Sequence, residues 1–315
     1  ATLRAAAGTL TELTAKAIAN VAGPWVKQFL HQILRLPTAF NVKLVKGSHI
    51  VVPRLYEGDH AFILQNDDRR VVFVYAYERS YTLIGTTDVE LEDGPGPCAA
   101  STEEVSYLIR ATNRYFSRQL TAGDVVWSYC GIRPLFDDGS VNPSAITRDY
   151  VLRTDGGARD APVLSVFGGK ITTHRRLAEH ALEKLAPWFR GMGQAWTERA
   201  LLPGGDLPDG LDAYARELAH RYPALPAALL ESLARRHGTL CLRVLEDTRV
   251  VSDLGEHFGA DLYAREVQYF IDREWARTAE DVLWRRTKAG LHLTYEQAQA
   301  VARFVSRRTG DGAMR

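Results

Sequence analysis

Alternating apolar and polar residues predict that the first two thirds of the chain combine strands with helices. Short β-rich runs separated by Gly, Asp and Asn occupy residues 42–87 and are typical of an antiparallel sheet. A helix is predicted next, because Ser101 and Glu104 match a capping box and apolar positions follow at helical spacing. Further β-like runs follow at residues 124–135, 149–153 and 161–169.

The pattern changes after the Gly/Pro-rich stretch "LLPGGDLPDG" at residues 201–210. Ala, Leu, Arg and Glu then dominate, and about five successive amphipathic segments end at Gly or begin with helix-capping residues. We therefore predict an α+β fold in two domains. Residues 1–200 would hold the antiparallel sheet, and residues 201–315 would form an all-α bundle.

Composition and charge exclude several classes of protein. The 315 residues are 46% hydrophobic and 24% charged with a net charge of +1, which gives no general affinity for nucleic acid. No apolar stretch approaches the roughly 20 residues of a transmembrane helix. Cys98, Cys130 and Cys241 are widely spaced without a CxxC pair, which argues against a disulfide framework or a metal site and favours a reducing cytoplasm.

The segment "LSVFGGKITTHRRLAEHALEKL" places two glycines and Lys170 between a strand and a helix. Bare backbone at a helix N-terminus suits an anion, and Arg175 and Arg176 oppose the helix dipole, which suggests a role beyond helix stability. The alternative is a tight turn beside a solvated basic face. Both interpretations stay open on this segment alone.

Three other side chains are candidates for chemistry. Arg133 in "GIRP" follows a β-run, where a guanidinium group can bind phosphate or carboxylate through paired hydrogen bonds, or can simply close a loop. Arg148 carries the same ambiguity, since pairing with the adjacent Asp149 would make it structural. His49 lies in an apolar strand and is either a core residue or, facing a cleft, a proton acceptor. The Gly94 to Ala99 match to G-x-G-x-x-A contains two prolines and is interpreted as a turn.

Several segments closely resemble the aerobic, FAD-dependent glycerol-3-phosphate dehydrogenases of bacteria, over nearly the whole chain. The resemblance implies oxidation of sn-glycerol 3-phosphate to dihydroxyacetone phosphate, with hydride passing to the flavin. The segments that carry it are "AGPWVKQF", "LVKGSHIVVPR", "IGTTDVE", "IRPL", "AITRDY", "SVFGGKITT", "LAEHALEKL", "LPGG", "VSDLGE" and "DVLWRRTKAG".

The resemblance also implies roles for individual residues. Arg133, Arg148, Lys170 and His49 would surround the substrate, with His49 as general base and Lys170 stabilising negative charge. The residues implied in FAD binding are Ala22, Gly23, Pro24, Gly168, Gly169, Lys170, Ile171 and Thr172.

The family's N-terminal strand–GxGxxG–helix unit has no counterpart in this sequence. We therefore expect the chain to hold a remnant of the FAD-binding domain, the substrate subdomain and the helical domain, and to be inactive alone. Two alternatives remain. The chain could belong to another flavin oxidase of the amino-acid or sarcosine type, or it could be a non-catalytic substrate-binding or interaction domain.

The resemblance extends to partners and location. It implies electron transfer to quinone, a homodimer, and a cytoplasmic protein associated peripherally with the inner membrane. The helix within residues 172–185 could meet anionic lipid through its basic residues and an apolar face, or pack on its own core. The residues of that apolar face are Leu177, Ala178, Ala181, Leu182 and Leu185.

Overall fold

The computed structural model describes residues 2–4, 8–92, 94–137, 149–156 and 161–310. Its contacts divide the chain into two compact units, Ala1–Glu198 and Arg199–Arg315. The predicted domain boundary after residue 200 lies within two residues of this division.

A six-stranded antiparallel sheet dominates the first unit, in the region where the sequence predicts one. Its strands are β4 (Val42–Pro53), β5 (Ala61–Gln65), β6 (Val71–Tyr77), β7 (Tyr81–Gly85), β8 (Val89–Leu91) and β9 (Trp127–Phe136). The long strand β4 lies in the middle and pairs with β9 along one edge and with β7 and then β8 along the other. β5 and β6 extend the sheet beyond β7.

Helix α2, Thr102–Asn113, covers one face of this sheet. The predicted capping box is present, because the Ser101 side chain accepts from the N–H of Glu104 and the Glu104 side chain accepts from the N–H of Ser101. Leu108 of α2 and Ile50 of β4 are fully buried in the core between helix and sheet. The opposite face of the sheet is therefore left for the candidate site.

A second, three-stranded sheet supplies the turns that resemble flavin-binding segments. β11, Val163–Gly168, lies between β10, Tyr150–Asp155, which is antiparallel, and β3, Ile18–Asn20, which is parallel. A 3-10 turn follows β3 at Gly23–Trp25 and continues into helix α1, Val26–Gln28, and a π-helix at Phe29–Leu34. β11 leads through a 3-10 turn, Ile171–Thr173, into α3, His174–Leu185. A short hairpin of β1 (Thr2–Arg4) and β2 (Leu10–Glu12) precedes these elements.

The second unit is mostly helical, as predicted, with its own apolar core. The sequence did not predict the short β-hairpin of this unit, because apolar and polar residues do not alternate strongly in that segment. The helices are α4 (Leu211–Arg221), α5 (Ala227–His237), α6 (Cys241–Leu245), α7 (Ala264–Arg273), α8 (Tyr295–Thr309) and a π-helix at Asp281–Arg286. The hairpin strands are β12 (His257–Gly259) and β13 (Leu262–Tyr263).

One expectation drawn from the cysteines is wrong. Cys98 and Cys130 form a disulfide, with their Cα atoms 6.2 Å apart. The sequence argument relied on wide spacing, but a disulfide requires only proximity in the fold. Here the loop before α2 returns to β9, which brings the two residues together. Cys241 is a buried free cysteine.

The α+β class is confirmed, with an antiparallel sheet in the first unit and a helical second unit. None of the helices in the described ranges combines the length and the apolar character needed to cross a bilayer.

Candidate active site

His49 lies on the face of the six-stranded sheet that α2 does not cover. It is half-buried, and its ring stacks on Tyr129 of β9 with the ring centroids 4.8 Å apart and the planes 2° from parallel. Burial lowers the pKa of His49, and the positive charge of Arg133 lowers it further, to about 4. The ring is therefore neutral at neutral pH and can accept a proton. Its buried Nδ1 has no hydrogen-bond partner among the residues that the structure describes.

Arg133 lies on the same face and is held in a fixed orientation. Its guanidinium group donates to Thr86 Oγ1 at 2.8 Å, to the Thr87 carbonyl at 3.4 Å and to Asp88 Oδ1 at 2.9 Å. The side chain is 27% exposed, so part of the cation still reaches solvent. A positioned arginine beside a neutral histidine suits a substrate that carries both an anionic group and a hydroxyl group.

Two glycines in the sheet make room for these side chains. A Cβ atom at Gly47 would lie 2.3 Å from Nη2 of Arg133, and a Cβ atom at Gly85 would lie 2.1 Å from the His49 ring. Both distances are far below van der Waals contact, so any larger residue would displace the neighbouring side chain. His49 and Arg133 can lie flat on the sheet only because these positions lack a side chain.

The turn after β11 exposes bare backbone and a cation, as the sequence suggested. Gly168 and Gly169 have φ values of +76° and +101°, a region that favours glycine. A Cβ atom at Gly168 would lie 2.8 Å from the Asp149 carbonyl, so the contact also excludes a side chain. Lys170 and Ile171 are exposed, and Lys170 has no ion-pair partner within the described ranges.

The turn at Ala22, Gly23 and Pro24 is fixed by Asn20, which is buried at the end of β3. The Asn20 side chain donates to the Val26 carbonyl at 3.0 Å and accepts from the N–H of Ala22 at 3.4 Å. Since β3 and β11 are parallel, both turns leave the same edge of their sheet.

Strand β9 connects the two turns to Arg133. A Cβ atom at Gly168 would lie 3.1 Å from the backbone nitrogen of Phe136, three residues beyond Arg133, or about 10 Å along a strand. A Cβ atom at Gly23 would lie 3.8 Å from Pro134. The structure thus brings most of the predicted site residues to one neighbourhood around β9. Arg148 lies outside the described residues.

The basic residues at the start of α3 differ in their surroundings. Arg175 and Arg176 both pair with the buried carboxylate of Glu179, at 2.7 and 3.0 Å, and Thr197 donates to the same carboxylate at 2.5 Å. The Thr197 hydrogen bond and the two arginines lower the pKa of Glu179. These arginines therefore form a structural cluster, which weakens their assignment to an anionic ligand. Lys170 keeps that assignment.

Sequence reasoning did not single out several residues that build the site. Thr86 and Asp88 hold Arg133, and Tyr129 supports His49. Burial raises the pKa of the Tyr129 hydroxyl, and nearby Tyr75 adds to the rise, so that group stays protonated at neutral pH. The sequence did offer a signal for them. The motif "IGTTDVE" contains Gly85, Thr86 and Asp88, and the motif "LVKGSHIVVPR" contains Gly47.

Comparison with known families gives two matches. The family described as FAD dependent oxidoreductase matches residues 2–175. The C-terminal domain of alpha-glycerophosphate oxidase matches residues 195–311.

Three curated proteins of similar sequence are each named as a dehydrogenase of a phosphorylated compound. The chain is 48% identical to a glycerol-3-phosphate dehydrogenase of Pseudomonas aeruginosa, over 95% of this chain and 58% of that protein. It is 47% identical to the aerobic glycerol-3-phosphate dehydrogenase of Escherichia coli, over 92% of this chain and 58% of the relative. It is 46% identical to the D-erythritol 1-phosphate dehydrogenase of Brucella abortus, over 93% of this chain and 58% of that protein. The chain thus spans about 58% of the length of these relatives.

A solved structure supports the same fold. The glycerol-3-phosphate dehydrogenase from Bacillus halodurans, complexed with FAD, superimposes with a TM-score of 0.78 at 27% identity. The alignment covers 96% of this chain and 60% of that one.

Proposed function

The chain belongs to the FAD dependent oxidoreductase family, and from this premise we propose that it serves the oxidation of sn-glycerol 3-phosphate to dihydroxyacetone phosphate. The observation that carries the proposal is the placement of neutral His49 and oriented Arg133 on one sheet face, beside the glycine turn that ends at Lys170. The names of the Pseudomonas and Escherichia relatives support the choice of substrate.

Each side chain has a task in this proposal. Arg133 binds the phosphate dianion, and Arg148, which stays a prediction, would assist it. His49 accepts the proton of the 2-hydroxyl group, because it is neutral and stacked in place. Lys170 stabilises the negative charge that develops as that proton leaves.

The residues present fit an FAD cofactor. The positive-φ turn at Gly168 and Gly169 offers backbone without side chains, and Lys170 offers a cation. We assign Ala22, Gly23, Pro24 and residues 168–172 to this cofactor, which supplies a two-electron acceptor when bound. The family match and the FAD complex of the Bacillus protein support the assignment.

The test is dye reduction by the full-length protein, combined with its flavin absorbance. We expect a yellow protein that reduces dye with glycerol 3-phosphate and does not oxidise sarcosine or amino acids. A colourless protein that binds the phosphate would instead support the alternative of a non-catalytic domain. We expect this chain alone to be inactive.

A second candidate substrate is a longer polyol phosphate, because the Brucella relative is named for D-erythritol 1-phosphate at 46% identity. The two substrates share the phosphate and the adjacent hydroxyl pattern, so Arg133 and His49 serve both. Measuring kcat/KM for both compounds in the same assay decides between them, since the larger value identifies the better transition-state fit.

Gly47→Ala should raise KM for glycerol 3-phosphate about tenfold. The added methyl group would lie 2.3 Å from Nη2 of Arg133 and 2.5 Å from Oγ1 of Thr86, so the guanidinium group would leave its hydrogen-bonded orientation and no longer point at the phosphate. Gly131→Ala is the matched control, because Gly131 pairs with Gly47 across β4 and β9 and its Cβ would meet open space. Equal KM values for the two variants would contradict the assignment of Arg133.

Quinone reduction, a homodimer and a peripheral position on the cytoplasmic side of the inner membrane complete the proposal. They rest on the family resemblance, and the exposed Leu182 and Lys184 on α3 are compatible with contact to anionic lipid. Quinone-analogue reduction and sedimentation equilibrium of the full-length protein test the first two.

Replacing Leu182 by Asp and Lys184 by Glu together should release the protein from anionic vesicles. Both side chains lie exposed on α3, so the change removes apolar contact and reverses a charge without touching the Glu179 cluster. Co-sedimentation measures the bound fraction, and we expect it to fall several-fold. Leu202→Asp, at an exposed leucine outside the helix, is the control. Binding that survives the double change but not the control would place the lipid contact elsewhere.

A further inference from the structure

Residues 86–88 form a gap in the pairing of strand β4. β4 pairs with β7 up to Gly85 and with β8 from Val89 onward, so the three residues between them belong to neither ladder. These residues nevertheless supply three oxygen atoms that accept hydrogen bonds from Arg133. The conformation of the gap therefore determines where the guanidinium group points.

The side chain of Thr87 holds residues 86–88 in place, although their backbone is not paired with β4. Thr87 is 1% exposed, and its hydroxyl accepts from the N–H of Ser48 at 2.9 Å. The same hydroxyl donates to Glu104 Oε1 at 2.7 Å. Thr87 thus binds to the α2 side of the sheet, while its neighbours Thr86 and Asp88 bind Arg133 on the other side.

Glu104 is a fully occupied acceptor at the N-terminus of α2. Its Oε1 accepts from Ser48 and Thr87, and its Oε2 accepts from Lys46 at 2.8 Å and from the N–H of Ser101 at 2.9 Å. Burial acts to raise the pKa of Glu104, but these four hydrogen bonds outweigh it and lower that pKa below its usual value. The carboxylate stays ionised and is rigidly placed, since each oxygen already has two donors.

We propose that Thr87 and Glu104 are positioning residues for substrate binding, acting through Arg133. The inference deepens the proposed function and rests on it. Helix α2 anchors Glu104, Glu104 anchors Thr87, and Thr87 holds the gap whose oxygen atoms orient the arginine. The hydrogen bonds on one face of the sheet thereby set the phosphate affinity of the other face.

The test compares Thr87→Val with Thr87→Ser in the full-length, FAD-loaded protein. Valine removes the hydroxyl at nearly constant volume, whereas serine keeps both hydrogen bonds. Thr87→Val should raise KM for glycerol 3-phosphate about tenfold and change kcat by less than about twofold, because the lost hydrogen bonds act on the orientation of Arg133, which binds the phosphate equally in the ground state and the transition state. Thr87→Ser should restore the wild-type KM.

Thr112→Val provides the structural control. Thr112 is also buried, and its hydroxyl donates to the Leu108 carbonyl within α2, away from Arg133. It should lower the melting temperature comparably without changing KM. An unchanged KM in Thr87→Val, or an equal rise in Thr112→Val, would overturn the inference.

Glu104→Gln keeps the test decisive if Thr87→Val does not fold. The amide retains the shape of the carboxylate but loses its charge and one of the two acceptor oxygens, so two of the four donors lose their acceptor and we expect a KM rise of about threefold. A wild-type KM in this variant would also refute the inference. Failure of the proposed function is distinguishable, since the wild-type protein itself would then not oxidise glycerol 3-phosphate.

Discussion

Arg133→Ala in the full-length protein is expected to raise KM for glycerol 3-phosphate about 100-fold while leaving kcat within about threefold. Charge-assisted hydrogen bonds to a phosphate contribute about 1.5–3 kcal/mol each, and a 100-fold change corresponds to about 2.7 kcal/mol. The effect falls on KM because the phosphate is bound equally in the ground state and in the transition state. Steady-state kinetics with a dye acceptor measures it.

Arg153→Ala is an unusually close control for this change. Arg153 pairs with Asp155 at 2.9 Å, with side-chain exposures of 31% and 16%. Arg133 pairs with Asp88 at the same distance, with exposures of 27% and 16%. The two variants therefore lose similar ion pairs from similar environments, and only Arg133 faces the candidate site. A KM that does not change in Arg133→Ala would remove this residue from the phosphate site.

Arg133→Lys separates charge from geometry. Lysine keeps the positive charge but cannot donate simultaneously to the Thr86 and Asp88 side chains and to a phosphate in the planar geometry of arginine. We expect an intermediate KM. A wild-type value would show that charge alone suffices and that the hydrogen bonds from Arg133 to the gap are dispensable.

The spacing of apolar residues and the helix-capping residues were sufficient to predict the main elements of the first unit. Alternation of apolar and polar residues predicts β4, the Ser101 capping box predicts α2, and a short apolar run predicts β11. All three signals act locally along the chain. The Cys98–Cys130 disulfide could not be predicted this way, because it depends on a loop returning to β9 across the fold.

The candidate site was predictable only in part, and the reason is physical. Arg133, His49 and Lys170 carry chemistry in their side chains, so residue type and neighbouring sequence were enough to predict them as candidates. Thr87 does not differ in type from many surface threonines, and its role appears only when the interrupted pairing of β4 is known. For the arginines of α3 the sequence left two interpretations open, and the structure adds that Glu179, one turn further along the helix, pairs with both.

His49→Ala is expected to lower kcat about 100-fold and to remove the acid limb of the pH profile. General-base catalysis contributes about 10²- to 10⁴-fold, and alanine offers no proton acceptor. His49 must be neutral to act, and burial together with Arg133 lowers its pKa to about 4. Activity of the wild-type protein should therefore be level around neutral pH and fall as the pH drops toward 4. His60→Ala is the control, because this histidine also makes aromatic contacts, to Tyr56 and Phe62, but lies in the loop before β5.

The two kinetic constants should report different pKa values for His49, because the bound phosphate changes its surroundings. In the free protein the charge of Arg133 lowers the pKa of His49. A phosphate dianion on Arg133 offsets that charge, so the pKa rises in the complex and the ring becomes a stronger base where it is needed. The pH dependence of kcat reports the pKa of His49 in the complex, and that of kcat/KM reports its pKa in the free protein. The fall of kcat at acid pH should therefore occur at higher pH than the fall of kcat/KM. Coincident limbs would mean that the phosphate does not bind beside His49, and an unchanged profile in His49→Ala would make this histidine structural.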